Sequence, residues 1–211
     1  MKHLVLVGDS IFDNGVYVHP GELDVIRQIQ AILPPDWQAT LCAVDGDCIR
    51  DVEGQLAVLR ADATHLAVSI GGNDALGYVG FLSEPARSVA EVLERLGGIS
   101  DTFQPAYHRM LAQVLRRGLP TMVCTIYEGN MGSSQEQRIT ATALKVFNDA
   151  ILREAIATGI PLLDLRFVCS RPEDYANPIE PSAVGGQKIA ERIVQVMTEH
   201  DFSAARCAIY S

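Results

Sequence analysis

The stretch Leu4-Val5-Leu6-Val7-Gly8-Asp9-Ser10 decides how the rest of the chain is read. A short apolar run that ends in a glycine, an acid and a serine reads as a buried strand stopping at a turn. A serine just past the carboxyl end of such a strand lies where open α/β sheets place their ligands. Ser and Asp also cap helices that follow strands. Alone, the segment leaves a ligand-facing serine and a simple cap both open.

Two further stretches bear on that choice. His65-Leu66-Ala67-Val68-Ser69-Ile70 is a second apolar run, followed by Gly71-Gly72-Asn73-Asp74. Between the two lies Ala43-Val44-Asp45-Gly46-Asp47, another strand end with a glycine. In this order the three blocks, with Asp13-Asn14 after the serine, resemble the SGNH/GDSL hydrolase family of esterases and lipases. The resemblance implies that Ser10 is the nucleophile. It also implies that the Ser10 amide, the Gly46 amide and the Asn73 side chain form the oxyanion hole.

The last block of the resemblance departs from the family pattern, which is Asp-x-x-His-Pro before the final helix. The corresponding stretch here is Asn177-Pro178-Ile179-Glu180-Pro181-Ser182, leading into Ala183-Val184-Gly185-Gly186. Asparagine takes the place of the acid and glutamate that of the histidine. A serine hydroxyl is a weak nucleophile without a base in hydrogen-bond reach. An ordinary glutamate, near pKa 4.3, is a poor base at neutral pH unless burial raises it. Ile179 and Pro181 flank Glu180 and are expected to desolvate it. Asn177 is expected to orient Glu180 by donating a hydrogen bond to its carboxylate. Of the five histidines, His3 and His65 begin strands at the far end of the sheet, His108 falls in a helix, and His200 lies near the C-terminus. Only His19, in the loop after the nucleophile, is placed to substitute as base.

Three functions follow. The first is a serine hydrolase of small esters, with Ser10 attacking, Glu180 as base, and Gly46 and Asn73 stabilising the oxyanion. The second is a catalytically impaired binding protein on the same scaffold, because fold and function are separable. The third is a metal-assisted hydrolase using Asp9, Asp13, Asp74 and Glu180, since carboxylates suit hard cations. No other hydrolase, zinc or phosphate-loop motif is present, and no cofactor is implied.

Composition bounds the partners. The 211 residues suit one domain spanning 1–211. A formal charge of −9 argues against nucleic acid, whose binding rests on Lys and Arg at phosphates. No apolar run reaches the roughly 18 residues of a membrane span. The five cysteines are scattered, with no Cys-x-x-Cys pair, and point to a reducing cytoplasm. Residues 1–7 read as the first strand rather than a leader.

Apolar runs at Leu4–Val7, Ala39–Val44, Leu66–Ile70, Thr121–Ile126 and Pro161–Leu165 alternate with helical patterns. That alternation implies a parallel sheet covered by helices on both faces. The resemblance implies a flavodoxin-like, three-layer α/β/α arrangement with five strands. Gly97-Gly98 reads as a helix break. Three loops, Phe12–His19, Ala75–Leu82 and Tyr127–Ser134, follow strand ends and are expected to rim an apolar pocket for an acyl group.

Overall fold

A computed structural model describes residues 1–211. Six parallel strands run β1 (Lys2–Gly8), β2 (Trp37–Leu41), β3 (His65–Ser69), β4 (Thr121–Cys124), β5 (Leu162–Leu163) and β6 (Ile209–Tyr210). Their order across the sheet is β2-β1-β3-β4-β5-β6. The helices are α1 (Val25–Ile32), α2 (Val52–Ala57), α3 (Gly72–Leu76), α4 (Val89–Leu115), α5 (Ser134–Thr158), α6 (Leu165–Val168) and α7 (Ala183–Glu199).

The continuous apolar runs make sense because both faces of the sheet are covered. Leu4 and Leu6 of β1 face one layer and Val5 and Val7 the other, as side chains alternate along a strand. Met122 and Cys124 of β4 join the first side and Val123 the second. Helices α1 and α7 cover the first face, with Ile29, Ile189 and Ile193 buried. Helices α2, α4 and α5 cover the second through Leu56, Phe103, Tyr107 and Ile151. Each such side chain, fully buried, contributes roughly 1.5–3 kcal/mol.

Two expectations are corrected. The sheet has six strands, not five; β6 is a two-residue strand whose backbone pairs with β5 through Leu162 N–H to Ala208 O and Asp164 N–H to Tyr210 O. So short a strand carries no periodicity to read. Gly97-Gly98 is not a break, because α4 continues through it to Leu115. Both glycines are exposed, while Ile99, Phe103 and Tyr107 beyond them pack into the core. That burial outweighs the cost of about 1 kcal/mol per helical glycine.

The position of Ser10 depends on Gly8. Its φ is +147°, and a Cβ there would lie 1.8 Å from the Ser69 carbonyl oxygen. Strands β1 and β3 therefore approach at their carboxyl ends as only glycine permits. The Asp9 amide then donates to that same Ser69 oxygen at 3.2 Å, and the chain turns at Ser10.

Candidate active site

Ser10 sits at the carboxyl end of β1 and is 7% exposed. Its hydroxyl donates to Oε1 of Glu180 at 3.1 Å, across 170 residues of sequence. Glu180 is buried, and its second oxygen, Oε2, has no partner in the protein. Burial pushes the Glu180 carboxyl from its ordinary 4.5 up to about 7; the Ser10 hydrogen bond opposes the rise and the charge of Asp45 adds to it. A base with that affinity for protons is suited to neutral pH.

The neighbouring Asp9 is fully buried. Its Oδ1 accepts from the Ile11 amide at 3.3 Å, while Oδ2 has no partner. Burial first, then the charges of Glu180 and Asp74, lift its carboxyl from 3.8 to about 7 against the Ile11 hydrogen bond. Two adjacent buried carboxylates disfavour simultaneous ionisation.

Asn73, near the start of α3, donates from Nδ2 to the Asp47 carbonyl at 2.9 Å. That bond uses one amide hydrogen and leaves the other free at the cavity beside Ser10. Gly46 lies in the loop that Asn73 grips, and its amide and that of Ser10 bond no group of the protein. The loop is fixed from two sides: Asp13 Oδ2 accepts the Asp45 amide at 3.0 Å, and Gln55 Nε2 donates to Asp47 Oδ2 at 2.7 Å. Gln55 also holds both backbone groups of Gly8, at 2.8 and 2.7 Å.

Asn177 does not act as expected. Its Oδ1 accepts the amides of Ile179 and Glu180, both at 3.0 Å, and its side chain does not reach the Glu180 carboxylate. Asparagine side chains commonly accept from the backbone two or three residues on, and here that bond shapes the loop. No histidine lines the cavity. His19 is exposed, and its amide donates to Glu22. His3 is buried between Asp62 and Thr40, at the opposite end of β1. The four acids considered for metal binding are not gathered: Asp13 and Asp74 accept the Asp45 and Ile49 amides, and no trio of His, Cys, Asp or Glu side chains has a metal-holding arrangement.

A cavity of about 340 Å³ opens beside Ser10, Asn73 and Glu180. Tyr78 and Phe81, and Tyr127 with Met131, line it as the loop readings anticipated. The Phe12–His19 loop does not: Phe12 is buried in the core, and the wall is reached instead by the preceding Asp9, Ser10 and Ile11. Much of the wall comes instead from helices, through Leu96 and Ile99 of α4 and Ala143, Leu144 and Phe147 of α5. These positions carry only the ordinary apolar signal of a packed helix, so their role was not visible in the sequence. Asn14 was also missed as a tether; it accepts the Val25 amide at 2.9 Å and donates to the Pro181 carbonyl at 3.3 Å, joining the first loop to the Glu180 loop.

Residues 6–188 match the family model described as the GDSL-like lipase/acylhydrolase family. The chain belongs to that family. No curated protein sequence matches it. Among solved structures it is similar to an extracellular lipase from Streptomyces rimosus, with a TM-score of 0.67 and 17% identity over 93% of this chain and 99% of that one. It is similar to a phospholipase A1 from Streptomyces albidoflavus, with a TM-score of 0.67 and 16% identity over 93% and 98%. It is also similar to a lipase/acylhydrolase from Enterococcus faecalis, with a TM-score of 0.64 and 21% identity over 93% and 95%. At these identities the likeness is one of fold. The GDSL-like family is one of ester hydrolases, and no helix of this member is long and apolar enough to cross a membrane.

Proposed function

We propose that this chain is a serine ester hydrolase in which Glu180 is the base, standing where the family has histidine, and in which the apolar cavity takes the acyl group. The observation that carries the reading is the hydrogen bond from Ser10 to a buried, half-unpartnered carboxylate that lines that cavity. In the first step Glu180 Oε1 takes the Ser10 proton as Oγ attacks the ester carbonyl. The negative charge passes to the carbonyl oxygen, which the Asn73 Nδ2 hydrogen and the Gly46 and Ser10 amides receive. Collapse breaks the carbon–oxygen bond to the alcohol, which leaves with the proton from Glu180. Water then attacks the acyl-serine with Glu180 again as base, releasing the acid and restoring Ser10.

The apolar walls, Tyr78, Phe81, Leu144 and Phe147 among them, support a substrate whose acyl group is longer than acetyl. All five cysteines are unpaired, which supports work in a reducing compartment such as the cytoplasm. The test is hydrolysis of p-nitrophenyl esters from acetate to dodecanoate by the unaltered protein, by Ser10→Ala and by Glu180→Gln. Turnover that both substitutions remove is the expected result. Saturable ester binding without turnover, and no labelling of Ser10 by a fluorophosphonate, would instead favour a binding protein.

A further inference from the structure

Asn177 leaves the Glu180 carboxylate free, and Oε2 has no partner, so whatever aims Glu180 at Ser10 acts through the backbone of its loop. The base of that loop is closed by a bridge between Tyr175 and Pro181 and by the Ala176 amide donating to the Glu180 carbonyl at 2.9 Å. Its tip rests against the segment that follows β4. The Asn130 amide donates to the Pro178 carbonyl at 2.8 Å. The Tyr127 hydroxyl donates to the Ile179 carbonyl at 2.6 Å. The Ile179 carbonyl and the Glu180 amide belong to one rigid peptide unit. Tyr127 holds that plane at its oxygen, and Asn177 Oδ1 holds it at its N–H, at 3.0 Å. With the plane gripped at both ends and the Glu180 carbonyl held by the Ala176 amide, the point from which the Glu180 side chain leaves the loop is fixed.

Building on the reading of Glu180 as base, we propose that Tyr127 is a positioning residue, whose hydroxyl fixes the peptide plane from which Glu180 reaches Ser10. The surroundings suit that task. Tyr127 is 5% exposed and packs edge-on against Tyr175, with ring centres 5.3 Å apart. Burial, together with the charges of Glu180 and Asp9, keeps its hydroxyl protonated and so able to donate. Gly129 seals the contact: a Cβ there would lie 2.5 Å from the Pro178 oxygen, so the two segments touch backbone to backbone.

Tyr127→Phe keeps the ring and removes only the hydroxyl. Its kcat toward p-nitrophenyl butyrate should fall about tenfold, as small misplacements of a reacting group do, with KM changed less than about twofold. The acidic limb of kcat should move toward the ordinary carboxylate range, because a loosened loop lets water reach the free Glu180 oxygen. Gly129→Ala, which presses on Pro178 from the same side, should move the limb in the same direction. Tyr175→Phe deletes a hydroxyl bonded to the Cys169 carbonyl instead and should leave the limb in place. Unchanged kcat and limb in Tyr127→Phe, with Glu180→Gln inactive, would overturn the role of Tyr127 alone. Full turnover by Glu180→Gln would remove Glu180 as base, and the positioning role with it.

Discussion

Lowering the pH should silence this protein well above the range in which an ordinary glutamate titrates. The Glu180 carboxyl is held at about 7 by burial, and only its ionised form accepts the Ser10 proton. At pH 5, two units below that value, about 1% of the molecules carry the active form, against roughly three quarters if the group titrated near its unperturbed position. Activity at pH 5 should therefore be about one hundredth of the plateau above pH 8, falling about tenfold per unit below 7. The assay is hydrolysis of p-nitrophenyl butyrate from pH 5 to 9, read at the isosbestic wavelength of the product. Glu180→Gln should lose about 10²- to 10⁴-fold in kcat at pH 8 and show no limb near 7. If the Glu180 charge keeps Asp9 neutral through this range, Asp9→Asn leaves the limb where it is. A limb below about 5, or one near 7 that survives in Glu180→Gln, refutes the reasoning. His19→Ala, expected to be silent, excludes the one loop histidine.

The same carboxylate should cost stability. Its folded pKa lies above the unfolded one, so the native state holds the extra proton between about 4.5 and 7, and stability falls as pH rises through that window. Glu180→Gln should therefore melt higher than the unaltered protein at pH 8, by roughly 1 kcal/mol after allowing for solvent at the cavity mouth, and equally at pH 4.5; differential scanning calorimetry at both values decides it. Gly8→Ala drives a Cβ to 1.8 Å from a backbone oxygen and should lose roughly 3 kcal/mol or more; an unchanged urea midpoint would contradict the tight β1–β3 approach. Ala143→Trp fills the cavity from α5, so kcat/KM for p-nitrophenyl decanoate should drop at least about tenfold while the acetate ester is spared. An equal loss for both esters would mean the acyl group lies elsewhere.

The strands of the sheet centre and the order of the family's sequence blocks were legible because they are written locally. An apolar run ended by Gly8 announces a turn, and Gly71-Gly72-Asn73 does the same for β3. The Glu180 position was legible through its flanks, Pro181-Ser182 and Gly185-Gly186, where Ser182 caps α7 and Gly185 lets α7 touch the Asp174 backbone. What escaped was carried by tertiary contact. Asn177 is a polar residue whose sequence position permits donation or acceptance, and only the loop's curvature made it accept from the backbone. Gln55 reads as an unremarkable polar position on a short helix, yet it holds both Gly8 backbone groups and Asp47. Gly97-Gly98 reads as a break by propensity alone, and the buried residues that follow it overrule that reading.

The two-residue strand at Ile209–Tyr210 has a practical side. It is the outer rail of the sheet beside β5, which is itself only two residues long and wholly buried. Trimming the chain behind α7 for expression would expose Leu162 and Leu163 as a bare edge, the kind of surface that recruits other strands. The neighbouring Asp164 caps α6 and bonds Thr125 at 2.9 Å, just beyond the end of β4. Fraying at that rim would thus travel inward toward the segment that carries Tyr127. Tags and fusion partners are better joined at the exposed Met1.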